Sequence, residues 1–311
     1  MATTVQTLAN HTQANAEVYD RKLLERLTPE LFFMKYAEKK PMPANSGDTI
    51  SFRRYNSLAV STTALTEGVV PDGVSFTITK VQGTVKEYGN WIKTTEFMES
   101  TALDKTTIEL AAMLGENAGE SIDTIVRDVI AAGSNVMYAN GVASRAAVAA
   151  KITALDILKI RRSMKRNKVK EIDTPMGRGY VAFVHPDIAL DLMQTEEWKA
   201  QNTYVNTKNL EEGILGKMYG IYFIEAVNAP KWASAGASSA DVFGTLVIGK
   251  GAYGVPDIGG SASPKIIRKL AQNNGVEDPL NQFNTVAWKA KFTTVRLNEL
   301  CIVRYESIAT A

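Results

Sequence analysis

The chain has 311 residues, 45% of them hydrophobic and 22% charged, which suits one large folded domain or two modest ones and excludes general disorder. Its 35 basic and 33 acidic side chains leave a net charge of +2, too little for a basic nucleic-acid sleeve to be the main design. With two histidines, His11 and His185, and one cysteine, Cys301, there is no internal disulfide, no Cys-rich zinc site and no histidine pair at metal-ligand spacing.

Residues 1–20 have no basic n-region and no apolar core, so they do not read as a signal peptide. No stretch approaches the roughly 18 apolar residues of a membrane span. The sequon Asn10-His11-Thr12 reads as chance. The expectation is a chain that works in a reducing cytoplasm, or in something assembled there, without membrane contact.

Residues 1–47 read as an arm. Leu23, Leu24 and Leu27, then Leu31, Phe32 and Met34, suggest short helices broken near Pro29, and Pro41 and Pro43 then hold the chain extended. So few apolar residues cannot fold alone, and the arm must lie on something.

Over 48–95 the period changes to two. Ile50 and Phe52 alternate with Ser51 and Arg53, and Val74, Phe76 and Ile78 alternate with Ser75, Thr77 and Thr79, the pattern of half-buried strands. Between them, Pro71-Asp72-Gly73 has the chemistry of a tight turn. The pattern predicts a long hairpin with a weakly apolar tip, which is marginal by itself and needs a surface to lie on. An ordinary meander within a sheet fits the pattern equally.

A strong helix signal follows. Thr106 and Glu109 form a capping-box pair, Ile122, Ile125, Val126, Val129 and Ile130 keep helical spacing, and Gly133 supplies a stop. Gly115 and Gly119 would admit close packing. The element reaches up to roughly 30 residues, about 45 Å, a length suited to a structural spine.

Residues 151–170 hold eight Lys or Arg against one acid, Asp156. Thr153 and Asp156 mark a helix start, and Lys159, Arg162 and Arg166 share a face. That face reads either as a phosphate or nucleic-acid contact, or as a solvated or neighbour-paired surface. No aromatic is interleaved to support single-strand stacking.

Strands then alternate with short helices. Tyr180–Val184 reads as a strand, Pro186 opens a helix carrying Ile188, Leu192 and Met193, and 221–224 and 242–248 are further strands. Gly249-Lys250-Gly251-Ala252-Tyr253-Gly254 copies the glycine spacing of a dinucleotide loop, but Val255-Pro256-Asp257 after it cannot open the helix that would hold a pyrophosphate. It reads as a crossing loop. Val286, Trp288, Ala290 and Phe292 share a face of a later strand, and a return strand is expected over 300–308, with Cys301 a buried, inert thiol in it. The carboxylate pairs Glu116/Glu120, Glu196/Glu197 and Glu211/Glu212 read as solvated faces. No catalytic, metal or cofactor site is expected.

Four segments in order carry a resemblance: YDRKLLERLTPELFFMKYAEKKPMPANSGDTISFRRY, LTEGVVPDG, GYVAFVHPDIALDL and EDPLNQFNTVAWKAKFTTVRLNE. The whole chain resembles tailed-phage major capsid proteins, within them the family related to the major capsid protein of N-four-type podoviruses. The resemblance implies an α+β chain with the Hong Kong 97-type fold. It implies an N-terminal arm at 1–47, an extended hairpin loop at 48–100, and a peripheral domain at 101–150 with a spine helix near 102–133. An inserted axial α/β domain at 151–254 follows, and a closing peripheral β layer at 255–311. It further implies hexamers and pentamers closing an icosahedral head around double-stranded DNA, a separate scaffolding protein, a portal, assembly in the host cytoplasm and residence in the virion. Pro71, Asp72 and Gly73 are then candidates for an inter-subunit contact, and Lys159, Arg162 and Arg166 for a neighbour or DNA contact. Against these stand two alternatives: a nucleotide-binding enzyme using Gly249–Gly254, and a DNA-binding protein using the helix at 151–170.

Overall fold

The computed structural model describes residues 31–41, 48–56, 58–70, 72–101, 106–174, 177–202, 214–257, 264–269, 280 and 282–310. Its centre is an eight-stranded mixed sheet. Six strands run in the order Val136–Tyr138, Ile302–Ser307, Val242–Ile248, Gly177–Val184, Ile221–Glu225 and Ile214–Met218, with two short strands paired off this path. All seven residues of Val242–Ile248 are buried, which is why that strand reads as an unbroken apolar run rather than an alternating one.

The sheet is covered on both faces. Phe183 points to one side, its ring 4.5 Å from Phe33 and 5.9 Å from Tyr36. Neighbouring Ala182 is in register with Phe223, whose ring meets Trp198 of the helix Glu196–Asn202 on the other side. Tyr180 points the same way as Ala182 and donates to Val169 O, 3.0 Å, just past the helix Ala154–Arg166. On Pro186–Gln194, Ile188 and Leu192 are buried but Met193 is exposed, so Met193 does not belong to the apolar face expected for it.

The spine helix runs over Thr106–Ala131, 26 residues or about 39 Å. Ile122, Val126 and Ile130 are buried, each contributing roughly 1.5–3 kcal/mol by leaving water. Thr106 already lies within the helix rather than capping it. The helix rests on a second sheet, ordered Lys265–Lys269, Phe283–Phe292, Lys86–Thr95. Asn117 fixes the packing by accepting from Trp288 Nε1 at 3.0 Å and Asn90 Nδ2 at 3.3 Å. As the period-two pattern requires, Val286, Trp288, Ala290 and Phe292 are all buried on the helix side.

The end of the arm is bolted to the same body. Phe33 N donates to Asp123 Oδ1 at 2.9 Å, and the Tyr253 hydroxyl donates to Phe33 O. Glu38–Lys40 then pairs in parallel with Tyr253–Pro256. The earlier arm residues, with Pro29, His11 and the sequon, lie outside the described residues.

Two expectations change. The strand after Asn298 does not close a hairpin with Phe283–Phe292; it begins at Ile302 and pairs with Val242–Ile248 and Val136–Tyr138 in the large sheet. Cys301 precedes that strand, in a short 3-10 turn over Glu299–Cys301. It is buried, its sulfur accepts from Asn298 Nδ2 at 3.1 Å, and burial raises the thiol pKa.

Candidate assembly surface

The hairpin forms as a two-stranded ribbon. Thr49–Tyr55 pairs antiparallel with Ile78–Thr84, from Thr49 opposite Thr84 to Tyr55 opposite Ile78. Asn56 extends the zip by one step, its backbone N–H reaching Thr77 O at 3.1 Å and its side chain Thr77 Oγ1 at 3.0 Å. Ile50 and Phe52 are buried at the base, where the Phe52 ring lies against Gly254 and Val295 against Gly83.

Beyond Asn56 the ribbon leaves the body. Val74 and Phe76, expected as strand residues, lie outside the ladder and are exposed; the alternation is present but no partner strand for them lies among the described residues. The hydrogen-bonded turn at the tip is Thr66–Val69, closed by Val69 N to Thr66 O at 3.2 Å with Gly68 at φ +77°, the left-handed value that favours glycine. The turn therefore precedes Pro71-Asp72-Gly73. Asp72 and Gly73 are exposed and outside regular structure, and Pro71 lies outside the described residues. Leu58, Val60, Leu65, Val69 and Val70 are all exposed, Val70 at 91%. Residues 57–77 contain Glu67 and Asp72 and no Lys or Arg.

The second sheet leaves its outer face open. Strand register sets Ile267 opposite Ala287 and Ala287 opposite Trp91, with Trp91 60% exposed and Ile267 43%. Lys265 and Lys289 stand on one side of this apolar bar, and Lys269 and Lys93 on the other, with Lys291 further along. Glu87 is 2.8 Å from Lys289 and 3.8 Å from Lys291, and those lysines hold its carboxyl below the ordinary range.

The basic helix starts as expected, with a reciprocal capping box between Thr153 and Asp156. Its three candidate residues do not share one role. Lys159 is bound to Asp156 at 2.9 Å. Burial alone would raise the Asp156 pKa, yet its hydrogen bonds to Thr153 and Lys159 keep it lowered. Arg162 and Arg166 are exposed and make no ion pair among the described residues. Past the helix end, Lys168 and Lys170 join Arg53, Arg54 and Lys250 around a cleft of about 420 Å³.

The glycines of 249–254 serve packing. A Cβ on Gly249 would stand 2.2 Å from Val169 Cγ1, and one on Gly254 would stand 2.5 Å from the Phe52 ring. The chain there turns from one strand into Tyr253–Pro256 with no helix. Glu116, Glu120, Glu196 and Glu197 are exposed; Glu211 and Glu212 lie outside the described residues.

One polar cluster had no counterpart in the sequence reading. Glu306 is fully buried, and both its oxygens accept from Arg145, at 2.7 and 2.8 Å, while Arg304 Nε lies 2.8 Å from one of them. The Arg145 guanidinium also lies 3.6 Å from the Trp232 ring centre. The available signal was two charges, Arg304 and Glu306, inside an otherwise apolar strand.

The sequence profile described as "Phage capsid protein" matches residues 78–305. Curated protein sequences give no match. Among solved structures, the capsid of Ralstonia phage GP4 superposes with a TM-score of 0.69 at 13% identity, covering 89% of this chain and 88% of that one. The capsid of cyanophage P-SCSP1u gives 0.67 at 14% identity, covering 90% and 89%. The capsid of cyanophage Pam1 gives 0.66 at 15% identity, covering 91% and 92%. The architecture is thus the α+β fold of Hong Kong 97-type capsids, and nothing in these findings supports the enzyme or DNA-binding alternatives. The profile match spans most of the chain: the chain belongs to the phage capsid protein family, and it is a structural protein of the virion shell rather than an enzyme.

Proposed function

We propose that this chain is the major capsid protein of a podovirus-type phage, whose copies form the hexamers and pentamers of an icosahedral head around double-stranded DNA. In this reading the copies wait in the host cytoplasm and assemble with a separate scaffolding protein and a portal. Residues 1–47 are the arm, 48–100 the extended loop, 101–150 and 255–311 the peripheral domain, and 151–254 the axial domain. Within that division, Ile302–Ser307 crosses to pair with Val242–Ile248 in the eight-stranded sheet.

The observation that carries the reading is the ribbon. A single chain gains nothing by holding Leu65, Val69, Val70, Val74 and Phe76 in water; a repeated neighbour would cover them. Asp72 and Gly73, with Pro71 between them and Val70, are the candidate contact, and Arg162 and Arg166 face a neighbour or the packaged DNA. The experiment is electron microscopy of the purified chain with its scaffold. Shells or capsomers are expected, and deleting 61–73 should abolish them while leaving thermal unfolding unchanged. A full-length sample that stays monomeric under every assembly condition overturns the reading.

A further inference from the structure

Five cations meet where the ribbon joins the body, against a single acid. Arg53 and Arg54 come from the ribbon strand Thr49–Tyr55, Lys168 and Lys170 from the loop after the helix Ala154–Arg166, and Lys250 from the loop after Val242–Ile248. They line one cleft of about 420 Å³, in which Glu38 is the one carboxylate. All five are exposed, so a ligand can reach them. None makes an ion pair among the described residues, and Arg54 donates to a backbone oxygen, Leu297 O, at 3.3 Å.

The backbone fixes the loops that carry these side chains. Lys250 N donates to Lys170 O at 3.0 Å, Gly249 N to Cys301 O at 2.9 Å and Leu297 N to Ala252 O at 2.9 Å. Lys168 is placed at a conformational cost. The helix ends in a Schellman pair, Lys168 N to Lys165 O at 3.0 Å and Val169 N to Met164 O at 3.1 Å, with Lys168 at φ +52°. Glycine suits that position best, because a Cβ disfavours the left-handed backbone. Here a lysine occupies it and lines the cleft, and backbone strain of this kind gathers at functional sites. The helix dipole accounts for one cation at a helix end, but not for Arg53, Arg54 and Lys250 beside it.

We propose that this cleft binds closely spaced phosphate groups, those of a free oligophosphate or of a nucleic-acid backbone. Lysine meets phosphate as a point charge and arginine through paired N–H groups, and a cleft lined by one sign of charge concentrates the opposite sign. A lone phosphate carries about two negative charges, too few for five cations, so the match is with two or three phosphates in a row. Two of the cations belong to the ribbon and three to the body, so a bound oligophosphate also braces the ribbon at its base. The site does not depend on how copies of the chain assemble.

The test is calorimetric titration of the full-length chain with inorganic tripolyphosphate, the ionic strength being held constant with chloride. Saturable binding is expected. Lys170→Gln with Lys250→Gln should weaken it by about tenfold or more. Lys265→Gln with Lys269→Gln, which removes the same charge from exposed positions on the second sheet, should leave it unchanged. Lys168→Gly gives an independent check, because it should fold more stably than the parent. It should raise the melting temperature, since glycine suits φ +52°, yet weaken tripolyphosphate binding by about fivefold. Duplex DNA at the same ionic strength then separates the two sources of phosphate. Displacement of tripolyphosphate by DNA assigns the cleft to a nucleic-acid backbone, and tripolyphosphate binding that DNA leaves intact assigns it to a free oligophosphate. The proposal is overturned by absence of saturable binding, by Lys170 and Lys250 changes that weaken binding no more than the Lys265 and Lys269 changes, or by Lys168→Gly binding as tightly as the parent.

Discussion

The ring of Phe52 lies so close to the bare Cα of Gly254 that a Cβ there would stand 2.5 Å from two ring carbons. Phe52 belongs to the ribbon and Gly254 to the strand paired with the end of the arm, so this contact seats the ribbon on the body. Replacing Gly254 with alanine should force the ring out and cost about 1–3 kcal/mol, as overpacking does. Urea unfolding should show a lower midpoint at unchanged slope. A variant as stable as the parent would mean that the ribbon base repacks freely.

The cluster around Glu306 makes a second prediction. Arg145→Met removes the two-pronged donor and leaves the buried carboxylate with Arg304 alone, so the loss should be about 3 kcal/mol, the lower end for breaking a buried pair. Glu306→Gln in the Arg145→Met background should recover part of it, because the uncompensated charge is gone. Chemical denaturation of the two variants beside the parent tests this.

His185 gives a pH dependence. Its Nδ1 caps the helix Pro186–Gln194 by accepting from Asp187 N at 3.3 Å, and its ring stands 4.8 Å from Phe243. Burial lowers its pKa from the ordinary 6.5; Asp187 and Glu225 act to raise it and Lys231 to lower it further. A base with a lowered folded-state pKa takes up its proton more readily when unfolded. Stability from the neutral ring is therefore complete above about pH 6.5 and falls as pH drops through the folded-state value. Thermal melts from pH 7 to 5 should show this fall. His185→Asn, which can still cap, should flatten it, and His185→Ala should flatten it too but lose about 1 kcal/mol at pH 7, where the parent's cap is intact.

Arg162 and Arg166 separate the two roles left to the basic helix. If they touch DNA phosphates, the affinity of the chain for duplex DNA should fall steeply with salt, and Arg162→Gln with Arg166→Gln should lower that slope by about 2. Lys159→Gln should change the slope little, since Lys159 is bound to Asp156. An unchanged slope in the double variant assigns the two arginines to a neighbouring subunit.

What the sequence displayed well were elements whose signal is local. The period-two face Ile50–Phe52, the face from Val286 to Phe292, the helical spacing from Ile122 to Ile130 and the Thr153–Asp156 capping box all recur in the fold. Val74 and Phe76 misled because alternation indicates a strand only where a partner supplies the ladder. The turn fell at Thr66–Val69 although Pro71-Asp72-Gly73 looked stronger, since Glu67-Gly68 provides the same left-handed residue earlier. Contacts between distant positions left no local trace: Arg145 and Glu306 are 161 residues apart, and nothing near Gly254 announces Phe52. The strand after Asn298 finds its partners far away for the same reason, because strand order in a mixed sheet is set by tertiary packing.

The strand Ile302–Ser307 lies between Val242–Ile248 and Val136–Tyr138, although it is translated after both. Until the ribosome has released it, Val242–Ile248 has a bare edge and Arg145 has no Glu306 to bind. A nascent chain can therefore not complete its main sheet early, and copies truncated before residue 302 would leave that edge of Val242–Ile248 unpaired. Incomplete translation products would thus carry an open strand edge, which is a template for aggregation.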